Sequence, residues 1–136
     1  ASNTTKKILA SNSSFIERAM ALKAIPDTIE LYTGDGIARM VVPSTLDGLK
    51  LNSIGAHVFT AGSSGSNTIM LYNETKSVDI LTTGVIIEVS ETDSSTSGTP
   101  ALISANNTVN TADVLRIDVD TKSTGAKGLE VRMTFK

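Results

Sequence analysis

The chain has 136 residues, no cysteine and a formal net charge of −2. Its length suits one domain with a sizeable core, and the lack of cysteine excludes disulfide bonds and thiolate zinc sites. Because the charge is slightly negative and the sequence has no basic run, nucleic acid is not an expected partner. No apolar run approaches the ~20 residues of a membrane-spanning helix, so no membrane partner is expected either.

Small polar residues are unusually frequent, since Thr, Ser and Asn together make up close to a third of the chain. Thr, Val and Ile favour extended structure, while Ser, Asn and Gly fill turns, so the composition predicts an all-β protein. The N-terminal stretch ASNTTKKILASNSS has two lysines but no apolar segment of the length that a signal peptide has. We therefore expect the chain to be made in a cytoplasm.

The first predicted element is a helix in SSFIERAMALKAIPD. Ser13 or Ser14 can cap its first turn, Glu17 can complete a capping box, and Pro26 is expected to end it. A helix of about three turns is marginal alone, so residues 1–26 are predicted to be an arm and an amphipathic helix that dock on another surface. The predicted assembly contacts are the apolar side chains of this segment: Ile8, Leu9, Phe15, Ile16, Met20 and Leu22.

From Thr28 onward the sequence shows the period of two that is typical of β-strands. The segments TIELY and IARMVV flank TGDG, which predicts a hairpin because Asp-Gly tolerates a positive φ. Further strands are expected in LKLNSIGAHVFTA, in NTIMLYN and SVDILT around the turn ETK, and in GVIIEVS. About eight short antiparallel strands with turns between them predict a jelly-roll-like β-sandwich in residues 27–136.

The last two predicted strands, DVLRIDVD and GLEVRMTF, alternate apolar and polar side chains. Leu115, Ile117 and Val119 should face the core, which leaves Asp118 and Asp120 on the outer face. The second strand should direct four side chains inward, namely Leu129, Val131, Met133 and Phe135. If the two strands pair, their acids and arginines become cross-strand neighbours that stabilise the sheet by up to ~1 kcal/mol. A calcium site is the alternative, but no dense acidic loop supplies further oxygen ligands, so no metal is predicted.

The sequence gives no arrangement typical of an enzyme. His57 is the only histidine, and a Ser-His-Asp site would need a serine and an acid beside it, so a strand histidine next to Val58 is the simpler interpretation. The segment GSSGS lacks the context of a nucleophile elbow, and TGDG and TGAKG lack the residues of a phosphate loop. No catalytic residue, cofactor or enzymatic activity is therefore predicted.

Three stretches between Leu49 and Phe135 form a characteristic succession: LNSIGAHVFTAGSSGSNTIMLYNETKSVDILTTGVIIEVSE, then TADVLRIDVD, then STGAKGLEVRMTF. This succession resembles a domain found in virion structural proteins of tailed bacteriophages, often at their C-termini. The resemblance implies a jelly-roll-like β-sandwich used in capsid decoration, head fibres or tail fibres. It carries no catalytic residues, and it does not include the N-terminal segment.

Two functions are expected from the resemblance and the residues together. The first is a non-enzymatic capsid decoration or cement subunit, assembled in the host bacterial cytoplasm, that binds other virion proteins through its N-terminal arm. From virion symmetry, a homotrimer is expected for such a subunit. The second is a receptor- or carbohydrate-binding module of a head or tail fibre, with a host-surface glycan as its ligand. Its contacts would lie in two polar loops, at Ser63, Ser64, Ser66, Asp93, Ser94 and Ser95.

Overall fold

The computed structural model describes residues 17–136, and strands dominate this part of the chain. The strands are β1 Arg18–Glu30, β2 Gly34–Val41, β3 Leu51–His57, β4 Asn67–Asn73, β5 Val78–Asp79, β6 Leu81–Thr83, β7 Val85–Ile87, β8 Leu102–Ile103, β9 Val114–Thr121 and β10 Lys127–Phe135. Within the same residues, the helical elements are two single 3-10 turns, Ser44–Leu46 and Ser94–Thr96.

The strands form two main antiparallel sheets. The first sheet has the order β1-β10-β3, and the second has the order β2-β9-β4 with both β5 and β7 on the far side of β4. Strands β6 and β8 form a small separate pair. This arrangement confirms the prediction of an all-β, sandwich-like protein, while the jelly-roll connectivity stays a prediction.

Side chains from both sheets form one apolar core. The predicted inward faces of the last two strands are confirmed, because their apolar side chains are buried almost completely: Leu115, Ile117, Val119, Leu129, Val131, Met133 and Phe135. Ile69 and Leu71 of β4 and Ile25 of β1 are buried with them. Burial of such side chains stabilises a fold by roughly 1.5–3 kcal/mol each, so alternation along these strands decides where the core lies.

The helix predicted before Pro26 is wrong for the described residues, because the chain forms strand β1 there. Met20 pairs with Met133 and Leu22 pairs with Val131 of β10, so alternate side chains of β1 face the core. A three-turn helix would be marginal alone, whereas pairing with β10 supplies backbone hydrogen bonds and apolar burial together. The predicted boundary after residue 26 thus falls inside β1. The predicted helix start and the contacts at Ile8, Leu9, Phe15 and Ile16 lie outside the described residues.

The predicted hairpin around TGDG is also wrong, since β1 and β2 lie in different sheets, and the condition considered for the last two strands is not met, because β9 and β10 lie in different sheets too. The acids and arginines of the last two strands are therefore not cross-strand neighbours. Alternation shows which face of a strand is apolar, but it does not show which strand lies beside it. The hairpin around ETK is confirmed, because Tyr72 pairs with Asp79 and Asn73 with Val78.

Candidate functional site

A loop anchored by one aspartate lies beside the first sheet. Arg132 of β10 donates from Nη1 and Nη2 to the two carboxylate oxygens of Asp93, at 2.8 Å each. His57 of β3 places Nδ1 2.9 Å from Asp93 Oδ2. We call Asp93, Arg132 and His57 the loop clamp, because they fasten the loop between β7 and β8 to strands β3 and β10.

A glycine in β3 makes the clamp possible. Gly55 is the β3 partner of Arg132, and a Cβ on Gly55 would lie 2.8 Å from Arg132 Nη2. The guanidinium therefore crosses β3 directly over the Gly55 backbone and reaches Asp93 on the far side. Any larger residue at this position would occupy the space that Arg132 uses.

Asp93 and Arg132 of the clamp are both charged at neutral pH. The two hydrogen bonds from Arg132 hold the pKa of Asp93 well below its usual range, and bonds from the Ser95 backbone and His57 lower it further, while partial burial opposes them. The carboxylate in turn raises the pKa of Arg132. Bidentate pairs of this kind are stronger than neutral hydrogen bonds, so the ionised carboxylate of Asp93 contributes to holding the loop.

The clamp resembles part of a Ser-His-Asp site but does not contain its nucleophile. Ser94 Oγ accepts a hydrogen bond from the Ala56 backbone at 3.0 Å, and within residues 17–136 no hydroxyl is bonded to the His57 ring. The Phe59 ring packs edge-on against His57, with the ring centroids 5.1 Å apart. With Asp93 already paired to Arg132, these residues fix a loop rather than activate a serine.

A groove of about 640 Å³ lies next to the clamp. Its apolar walls come from several strands, at Met20, Ile54, Val85, Ile86, Ile103 and Met133. Its polar lining includes Ser94, Ser95 and Arg132. Two of the six predicted receptor-loop residues therefore line the groove, while Asp93 anchors the loop that forms one wall.

The other three predicted loop residues lie elsewhere. The Ser63 backbone N–H donates to Thr124 at 2.9 Å, and the Ser64 carbonyl accepts from Thr124 at 2.8 Å. The Ser66 carbonyl accepts from Thr121 Oγ1 at 3.1 Å. These contacts tie GSSGS to the turn after β9, so the structure does not bring it to the groove, although the Ser63 and Ser64 side chains are exposed.

Of the two acids of β9, Asp118 is held by its own strand and by β2. Arg116 donates to both oxygens of Asp118 at 2.8 and 2.9 Å, and the Gly36 backbone N–H donates to Asp118 at 2.8 Å. Asp120 has a raised pKa, mainly because partial burial disfavours its charged form and next because Asp118 repels it. In the described part of the chain, no group of three or more acidic or histidine side chains is placed to hold a metal ion.

Of the predicted assembly contacts, Met20 and Leu22 lie in β1. Both side chains are partly buried against the core, and β1 forms one end of the first sheet. Sequence reasoning missed this edge because it treated the same residues as a helix. The alternation of Met20, Leu22 and the exposed Ala19 and Ala21 between them is the signal that could have shown it.

Comparisons with protein-family models, with curated proteins and with solved structures find no match to this chain. Over residues 17–136, no helix has the length and apolar character that crossing a membrane requires.

Proposed function

We propose that this chain is a non-enzymatic structural protein of a bacteriophage virion, a decoration or cement subunit that binds other virion proteins through its N-terminal segment. The support from the residues is a small cysteine-free β-sandwich whose charged clusters are occupied in fixing strands and loops. The support from the family resemblance is the succession of strand and turn motifs between Leu49 and Phe135. Such a subunit acts by binding and is located in the virion.

The observation that carries the proposal is the place at which the N-terminal segment joins the sheet. Residues 1–16 lead into β1, which pairs with β10 in regular register from Arg18 to Lys23. β10 lies in the centre of the first sheet between β1 and β3. A contact made by the N-terminal segment would thus be anchored on a strand that is hydrogen-bonded to the middle of the domain.

Particle binding tests this function. Capsid shells prepared without this protein would be mixed with the full chain or with a chain lacking residues 1–16, and bound protein would be measured after sedimentation. We expect the full chain to bind and the shortened chain to remain in solution with an unchanged circular dichroism spectrum. Ser95→Ala, which alters the groove but not the N-terminal segment, serves as the matched control and should bind normally. Equal binding of the shortened chain would refute attachment through this segment.

The groove favours a second function, the receptor- or carbohydrate-binding module of a fibre. Its volume of about 640 Å³ lies in the range of sites that bind small ligands, and hydroxyl groups of Ser94 and Ser95 line it beside the Arg132 guanidinium. Hydroxyls and a guanidinium are suitable partners for the hydroxyl and carboxylate groups of an acidic saccharide. Among residues 17–136, no aromatic side chain lines the groove, so a sugar would bind there through hydrogen bonds rather than by stacking.

Glycan binding distinguishes the second function from the first. The full chain would be screened against neutral and acidic oligosaccharides, and any ligand found would be tested on Arg132→Ala and on Ser63→Ala. Loss of binding in the first variant and retention in the second would support the groove. Retention of binding in Arg132→Ala would place the glycan elsewhere.

A further inference from the structure

We propose that the free edge of β1 pairs with the β1 edge of a second copy of this chain. The pairing joins two three-stranded sheets into one antiparallel sheet of six strands. This inference rests on the function proposed above and deepens it, because it names a sister subunit as the partner of this edge.

The two ends of the first sheet differ in how they are covered. At the β3 end, the Leu51 backbone donates to Asn107 at 3.0 Å, and the Ala56 backbone donates to Ser94 Oγ at 3.0 Å. At the β1 end, no element within residues 17–136 pairs with the outer side of the strand. Unpaired edges are templates for another strand, and proteins usually cover or blunt them. Over residues 17–136, the protein covers the β3 end with its own loops and leaves the β1 end unpaired.

The usual protections of an edge are absent from the first half of β1. No proline occurs between Arg18 and Lys23, and the first register shift comes only after Lys23. The Lys23 ammonium is paired with Asp27 and lies 4.1 Å from the centre of the Phe59 ring, so it is drawn back over its own sheet. Pro26 comes only after the regular stretch. In the described part of the chain, the edge from Arg18 to Lys23 therefore has an unbroken register and is open to an incoming strand.

The side chains of this stretch complement a second copy of themselves. If two β1 strands pair antiparallel about a two-fold axis at Ala21, Met20 lies opposite the partner's Leu22 on the inward face. Both side chains are only partly buried in the single subunit, so the pairing removes further apolar surface from water. The contact between Met20 and the partner's Leu22 therefore occurs twice, once on each side of the two-fold axis.

Charge complementarity favours the same register. With the axis at Ala21, Lys23 lies diagonal to the partner's Glu17 on the outer face. Diagonal neighbours have Cα atoms ~7–8 Å apart, so the register places opposite rather than like charges near each other, while within each subunit Lys23 is paired with Asp27 and Glu17 accepts a hydrogen bond from Asn52. The two-fold axis generates this contact twice. An isologous contact of this kind closes at two subunits, so it gives a dimer and not the homotrimer that virion symmetry makes plausible.

Cysteine cross-linking tests the register, because the chain has no cysteine of its own. In A21C the two introduced residues face each other across the axis with Cα atoms ~4.5–5.5 Å apart, which is compatible with a disulfide. In A19C they are four residues out of register, roughly 14 Å apart along the strand, which is too far. Both positions are exposed on the same face of β1, so the variants are matched. We expect disulfide-linked dimer in A21C and not in A19C under mild oxidation.

Two substitutions of opposite charge at Ala21 test the pairing of the β1 strands without a disulfide. Ala21→Glu and Ala21→Lys change an exposed side chain, so each variant should fold, as circular dichroism would show. We expect light scattering to find wild-type dimers and monomers of either variant alone, since like charges then face each other across the axis. An equimolar mixture of the two variants should recover dimers.

Three results would overturn the inference: a wild-type protein that stays monomeric at high concentration, a trimer, or cross-linking in A19C but not in A21C. These measurements use the isolated full chain and require no capsid. Shell binding in the deletion experiment tests the proposed function separately, so a monomeric protein that still binds shells would refute the pairing and leave the function standing.

Discussion

Arg132 and Asp93 form a bidentate ion pair across 39 residues of sequence, with both nitrogen–oxygen distances at 2.8 Å. The arginine belongs to the central strand of the first sheet and the aspartate to the loop between β7 and β8. This pair, together with His57 and the hydrogen bonds from the Ala56 and Val58 backbones to Ser94 Oγ and the Thr92 carbonyl, holds the loop that forms one wall of the groove. The stability of the loop therefore depends in part on the charge of one carboxylate.

Asp93→Asn should reduce the free energy of unfolding at neutral pH by about 1–2 kcal/mol, because two charge-assisted hydrogen bonds are weakened. The loss is no larger because Arg132 is partly exposed and solvent screens the pair. The pKa of Asp93 is lowered in the folded protein. The stabilisation is therefore complete above the ordinary aspartate pKa of about 4 and is lost as the pH falls from there toward the lower folded value. Urea unfolding at several pH values should show the wild-type advantage shrinking below about pH 4.

Asp35→Asn is the control for this prediction, because the Asp35 side chain is 70% exposed. Its effect on unfolding should be small at every pH. A wild-type advantage over Asp93→Asn that does not change between neutral and acidic pH would contradict the assignment of the stabilisation to the ionised pair.

Gly55→Ala should destabilise the protein mainly by displacing Arg132, because the new Cβ would meet the guanidinium at 2.8 Å. Its effect and that of Arg132→Ala should therefore not add. We expect the double variant to lose about as much stability as Arg132→Ala alone, with a coupling of roughly 0.5–3 kcal/mol in a double-mutant cycle. Additive losses would show that Gly55 matters for a reason other than the path of Arg132.

Gly62→Ala should destabilise the protein by roughly 2 kcal/mol or more, because a Cβ there would lie 1.8 Å from Ser123 Oγ and 3.1 Å from the Thr124 carbonyl. Gly98→Ala is the matched control, since its Cβ would meet only Glu88 at an ordinary 3.7 Å. Thermal unfolding should show a large decrease in Tm for the first variant and little change for the second. Ser123→Gly in the Gly62→Ala background should recover part of the loss, and no recovery would contradict a steric cause.

Asp113→Ala should lower the free energy of unfolding by about 2–4 kcal/mol. The Asp113 side chain is buried, with 5% of the residue exposed, and it accepts hydrogen bonds from Asn73 Nδ2 and from the Asn110 backbone at 3.0 Å each. Burial alone would raise the pKa of Asp113, but these bonds and Lys76 leave it lowered. Chemical unfolding measures the loss. The exposed Asp79→Ala serves as the comparison, and similar losses in both variants would refute the role of the buried carboxylate.

The sequence predicted separate parts of the candidate site, but it did not predict that these parts meet. The polar loop around Asp93 was predicted as a contact loop, and the predicted alternation of the last strand leaves Arg132 on the face opposite Val131 and Met133. The sequence did not show that the two residues meet, because contacts across 39 positions depend on how strands are ordered in the sheet. The same limit explains why GSSGS and the Asp93 loop were grouped as one receptor surface, although GSSGS packs against the turn after β9 and the Asp93 loop is held by strands β3 and β10.

The sequence by itself determined the class of the fold and the faces of its best strands. Strict alternation in β9 and β10 places Ile117 and Val131 in the core whatever their neighbours are, because the side-chain period of a strand is two. Only the tertiary structure decided that Arg18–Glu30 is a strand and that β9 and β10 belong to different sheets. The segment around Met20 and Leu22 has spacings compatible with either a helix or a strand. Its conformation is selected by β10, whose backbone and apolar face offer more stabilisation than a short isolated helix can obtain.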